Sequence, residues 1–71
     1  MTANQYRHAR RALDWSHARM GATIGKSERQ SFRYASGEVE IPDTVAKLVR
    51  RLVSDRLTMS SRKFDELVEH L

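Results

Sequence analysis

Apolar residues recur along this chain at spacings of three and four, and no stretch shows the strict alternation of a half-buried strand. The pattern predicts an all-α protein. Its most regular part is Val45, Leu48, Val49, Leu52, Val53 and Leu57, an i, i+3, i+4, i+7 stripe that predicts a helix over residues 43 to 56 or 57. Phe64, Leu67, Val68 and Leu71 form a second stripe with Arg62, Lys63, Asp65, Glu66 and Glu69 opposite. They predict a last helix over about 61–71, capped by Ser60 or Ser61. Near the start, Tyr6, Ala9 and Leu13 line one face of a helix running from residue 2 or 4 to 13. Trp15 follows in a short turn as a plug for the core.

The punctuation between these stripes is sparse, with three glycines and one proline, Pro42. Ser16 reads as the N-cap of a helix over 17–24, its hydroxyl accepting a free amide of the first turn. Gly25 stops that helix through a left-handed residue, Ser27 caps the next over 28–36, and Gly37 ends it in the same way. Asp14 and Glu28 are expected near helix starts or turns, where the dipole favours an acid. Five helices result, in a single domain of residues 1–71, a length near the lower limit for an independent core. With no cysteine to cross-link it, association through the last helix is the expected supplement, with Phe64, Leu67, Val68 and Leu71 as the dimer interface.

Charge divides the chain. Residues 1–37 carry seven Lys/Arg against two acids, a balance of +5, whereas residues 38–71 carry six against seven. The first part has the electrostatics of a polyanion binder. His8, His17 and His70 lack metal-ligand spacing, and neither a nucleophile turn nor a glycine-rich phosphate loop occurs, so no metal, no cofactor and no enzymatic activity are expected. No apolar run approaches the ~20 residues of a membrane span, and the start of the chain lacks a signal-peptide core, so a cytoplasmic protein is expected.

Two short helices joined by a glycine turn, over 17–36, make a helix-turn-helix unit whose second helix enters the DNA major groove. Met20, Ile24 and Tyr34 are expected to point inward, and small Gly21 allows the two helices to cross closely. The free face then carries Ser27, Glu28, Arg29, Gln30 and Arg33. Arg29 and Arg33 suit guanine, Gln30 adenine and Glu28 cytosine, which makes these residues the expected base contacts. Ser27, Arg19 and Lys26 are expected at phosphates. Phe32 has two alternative places, in the core or against a thymine methyl.

The stretch "LDWSHARMGATIGKSERQSFRYASGEVEIP" resembles the phage Cro/repressor-type, or XRE-like, helix-turn-helix family. The resemblance covers about residues 5–53, with Leu13, Trp15, Ser16, Gly25, Ser27, Tyr34, Gly37 and Pro42 at the corresponding places. It implies a compact five-helix DNA-binding domain, dimeric on a palindromic operator, acting as a small repressor. It further implies phosphate contacts from His17, where the family carries glutamine, and from the backbone at Ser36 and Gly37. The chain departs from the family pattern at Lys26 and Ser31, both normally apolar, and at Tyr34-Ala35, normally Trp-Glu, which leaves Arg10 without its usual acidic partner. An inward turn of Phe32 would compensate for Ser31. Two other readings stay open: an antitoxin whose last helix also grips a partner protein, and a protein-interaction domain that no longer reads DNA.

Overall fold

A computed structural model describes the backbone of residues 1–69 and the side chains of residues 1–56. The chain is all-α, with four helices and no strand among the described residues. They are α1 (Ala3–Leu13), α2 (His17–Thr23), α3 (Glu28–Ser36) and α4 (Asp43–Glu69).

Local chemistry sets each boundary. Thr2 opens α1 with a capping box: its Oγ1 accepts from the Gln5 amide at 3.1 Å while Gln5 Oε1 accepts from the Thr2 amide at 2.9 Å. α1 ends on Asp14 at φ 56°, a left-handed residue whose N–H donates back to the carbonyls of Arg10 and Arg11. Asp14 thus takes the turn rather than the helix start of the two places expected for it, and as a C-cap its charge opposes the dipole. Ser16 and Ser27 cap α2 and α3, accepting from the amides of Arg19 and Gln30 at 3.2 and 3.0 Å. Gly37, at φ 80°, ends α3 with its N–H on the Arg33 carbonyl.

The helix count differs from the expected five. Residues 43–57 and 61–71 were expected as separate helices, yet α4 is continuous from Asp43 to Glu69. The intervening Leu57-Thr58-Met59-Ser60-Ser61 contains neither glycine nor proline, and serine, though a good cap, is tolerated inside a helix. At 1.5 Å per residue its 27 residues span about 40 Å. The side chains of Phe64, Leu67 and Val68, and all of Leu71, lie outside the described residues.

α1 packs against both α3 and α4, while α2 and α3 form the most intimate pair. Tyr6, Leu13, Met20, Ile24, Tyr34, Ala35, Val45 and Val49 make the core, with Ala9, Trp15, Val39, Ile41, Leu52 and Val53 packed against it. Burying each larger side chain contributes roughly 1.5–3 kcal/mol. Tyr6 and Tyr34 meet edge to face, ring centroids 5.7 Å apart. Along α4 the buried stripe is Val45, Ala46 and Val49, and Leu48 falls outside it on the surface.

Candidate nucleic-acid interface

The α2–α3 pair is fixed by a contact that only glycine permits. A Cβ on buried Gly21 would lie 2.5 Å from the Ser27 carbonyl oxygen and 2.8 Å from its carbon, backbone atoms that cannot swing away. The turn between the helices is equally determined. Gly25 adopts φ 75° and donates to the Ala22 carbonyl at 3.3 Å, and Lys26 donates to the Gly21 carbonyl at 2.7 Å. This pair of bonds is the Schellman arrangement, which satisfies two carbonyls that a helix end would otherwise leave open. The start of α3 is thereby set against the middle of α2.

Inside this frame, Ser31 is fully buried at the inward position of α3. A lone hydroxyl there would carry the cost of an unmade hydrogen bond. It has two partners: Tyr6 Oη of α1 at 2.6 Å and His17 Nδ1 of α2 at 2.9 Å. Burial pushes the Tyr6 hydroxyl above its ordinary value, against the lowering hydrogen bond from Ser31, with Tyr34 adding to the rise and Arg10 opposing it. Burial, then the nearby Arg10 cation, holds His17 below the usual histidine value, against an opposing pull from Glu28. With His17 neutral, one assignment uses both hydroxyl hydrogens: Tyr6 donates to Ser31, and Ser31 donates to His17 Nδ1. This relay links the first three helices. The sequence marks Ser31 as an oddity on an inward position but gives no sign of its partners, because Tyr6 lies on another helix.

Ser31 also decides the place of Phe32. The inward position is occupied and satisfied, so Phe32 does not turn into the core; it is 59% exposed. Its ring meets that of His17 in a T-shaped arrangement, 5.7 Å between centroids and 75° between planes. Around it on the outward face stand Glu28, Arg29 and Ser36, all exposed, with Gln30 and Arg33 half-buried at the flanks. Helical spacing puts Arg29 and Arg33 one turn apart on this face. Arg33 Nε lies 4.0 Å from Glu38 Oε2, a loose surface pair.

The remaining candidates occupy the rim. Lys26, Ser27 and Gly37 are exposed at the two ends of α3. The Ser27 hydroxyl is already engaged as a cap, and Ser36 Oγ donates to the Arg33 carbonyl at 3.1 Å, so its hydroxyl is turned back on its own helix. Arg19 is exposed and stacks its guanidinium 4.6 Å from the Trp15 ring centre, a cation–π contact that orders the side chain. His17 is half-buried and its Nδ1 is committed to Ser31, which leaves Nε2 as the atom it can offer outward.

Two arginines of α1 are structural. Arg10 donates to the Trp15 carbonyl at 2.9 Å, which holds the α1–α2 turn. Arg7 donates to the Ala35 carbonyl at the end of α3 and to Asn4 Oδ1 at 3.3 Å. A charge count cannot separate such ties from solvated cations. Among the described residues, Arg10 Nε and Trp15 Nε1 are buried without a partner at this same α1–α2 junction.

No group of histidines, cysteines and acids among the described residues could hold a metal ion, and no helix among them is long and apolar enough to cross a membrane. Compared with known proteins, the chain matches no family model, no curated protein and no solved structure.

Proposed function

We propose that this chain is a sequence-specific DNA-binding regulator of the Cro/repressor helix-turn-helix type, with α3 as its reading helix. The observation that carries this reading is the outward face of α3, where Arg29, Arg33, Gln30 and Phe32 project from a helix whose other side is locked by Gly21, Ser31 and Tyr34. Such a face offers the donors and the apolar group that base edges in a major groove demand, while its rigid seat fixes their register. The +5 balance of residues 1–37 supplies the attraction to phosphate, and Arg19 and Lys26 flank the face where the backbone would run.

The active form is a homodimer, with Phe64, Leu67, Val68 and Leu71 as its seam. A two-fold pairing of reading helices about 34 Å apart would demand a near-palindromic operator. Repression follows from occupancy of a promoter by such a dimer. Specific sites for modules of this size bind at ~10⁻⁸–10⁻¹¹ M.

Selection of sites by the full chain from a random duplex pool tests the reading. An enriched inverted repeat with half-sites one helical turn apart is the expected result. A pool that stays random after repeated rounds, with only salt-sensitive binding, would remove sequence recognition from the proposal.

A further inference from the structure

We infer that Phe32 reads the C5-methyl group of a pyrimidine, and that His17 is the residue that positions it. This inference rests on the DNA-binding reading above and assigns one specificity to one side chain. Among the described residues only Phe32 and Leu48 are large apolar side chains left exposed, and Phe32 alone of the two stands on α3. A bare ring at 59% exposure on a face of charged residues is either incidental or a contact waiting for an apolar partner.

Its surroundings argue for the second. The ring stands against that of His17, with centroids 5.7 Å apart and planes at 75°. His17 is itself held at Nδ1 by Ser31, and Ser31 by Tyr6, so the orientation of Phe32 is tied to a fully buried hydroxyl. A protein interface is poorly served here, since Glu28 and Arg29 border the ring and no apolar neighbour extends the patch on α3. The major groove, by contrast, presents isolated apolar groups set among hydrogen-bonding edges. These are the C5-methyls of thymine and of 5-methylcytosine, each beside acceptors or donors that Arg29, Gln30 and Arg33 can meet. The same chemistry comes from either base.

The test uses the full chain and its selected duplex site. Each thymine is replaced in turn by deoxyuridine, which deletes the methyl and leaves the pairing edge intact, and each cytosine by 5-methylcytosine. For the parent, one position per half-site is expected to lose affinity about fourfold when its methyl is removed, the factor that accompanies burial of one methyl-sized group. Phe32→Ala is expected to bind the methylated and unmethylated forms equally, and Phe32→Leu to keep part of the preference. His17→Ala is expected to shrink the preference ratio as well, a change that a general loss of affinity would not produce. Sensitivity to deoxyuridine identifies thymine as the source; a gain with 5-methylcytosine at a cytosine position identifies the modified base. An undiminished preference in Phe32→Ala, or no methyl preference anywhere in a well-defined site, would overturn the assignment and leave DNA reading intact. Failure to select any site would overturn both. Because Phe32 is exposed, its variants should melt with the parent, which a thermal scan establishes first.

Discussion

Ser31 Oγ lies 2.6 Å from Tyr6 Oη, a hydrogen bond that joins α3 to α1 across 25 residues of sequence inside the core. It converts what looks like a flaw, a serine at an apolar position, into a junction. Ser31→Ala should therefore destabilise the fold by ~1–3 kcal/mol, since the buried Tyr6 hydroxyl loses its acceptor. Ser31→Ala combined with Tyr6→Phe should recover part of that loss, because both members of this bond become apolar together while His17 Nδ1 still lacks its partner. Denaturant titration of the two single variants and the double variant measures the coupling. Strict additivity would show that the pair contributes nothing beyond its parts.

His17 makes stability depend on pH. Its folded pKa lies below the unfolded value, for burial and the Arg10 cation disfavour the imidazolium and only Glu28 favours it. The unfolded chain then binds more protons than the folded one between the two values. Stability contributed by neutral His17 is fully present above the ordinary histidine pKa of about 6.5 and is lost as pH falls below it. Protonation also reverses the relay, since Nδ1–H must donate to Ser31, and the relay then leaves one of the two hydroxyl hydrogens, of Tyr6 or Ser31, without an acceptor. Unfolding curves at pH 7.5 and pH 5.5 should differ more for the parent than for His17→Gln. An equal difference in both would place the pH response elsewhere.

Gly21→Ala opposes two effects. Alanine favours the helix by ~1 kcal/mol over glycine, but the new Cβ meets the Ser27 backbone at 2.5 Å. Overpacking of this kind costs typically ~1–3 kcal/mol, and here the obstructing atoms belong to the start of α3. A net loss of stability is expected, with a weakened grip on any selected DNA site because α3, the proposed reading helix, must move. A stabilised Gly21→Ala protein would show that the two helices are not held this closely.

The C-cap of α1 allows a gain instead. Asp14 sits at φ 56° with a negative charge at a helix C-terminus. Asp14→Asn keeps a residue that tolerates this conformation and removes the unfavourable charge, which should stabilise by ~0.3–1 kcal/mol at low salt. A melting temperature that rises at low ionic strength, and rises less at high, is the expected signature.

Much of this architecture was legible because its causes are local. Ser16, Ser27, Gly25 and Gly37 act within one turn of themselves, so the bounds of α2 and α3 could be read from them, and Met20, Ile24 and Tyr34 are buried as their spacing requires. What could not be read depends on partners distant in sequence. Ser31 needs Tyr6 and His17, and the outward place of Phe32 follows only once Ser31 is satisfied. Arg7 looks like any cation until its bond to the Ala35 carbonyl is seen. The fused α4 is a different case: serines at 60 and 61 are compatible with both a cap and a helix interior, and no glycine or proline decides between them.

Arg29 and Arg19 offer the sharpest contrast in the proposed interface. Both are exposed cations, but Arg29 stands on the outward face of α3 while Arg19 lies on α2, ordered against Trp15. A base contact and a phosphate contact respond differently to removal. Arg29→Ala should cost ~1–3 kcal/mol on the selected site and relax preference at one position of each half-site. Arg19→Ala should weaken all sequences nearly alike and lower the slope of log K against log salt by about one per site contacted. Binding isotherms for matched and single-mismatch duplexes at several salt concentrations distinguish the two. If Arg29→Ala behaves like Arg19→Ala, uniform across sequences, then α3 does not read bases through this residue, and the outward face of the helix serves the phosphate backbone alone.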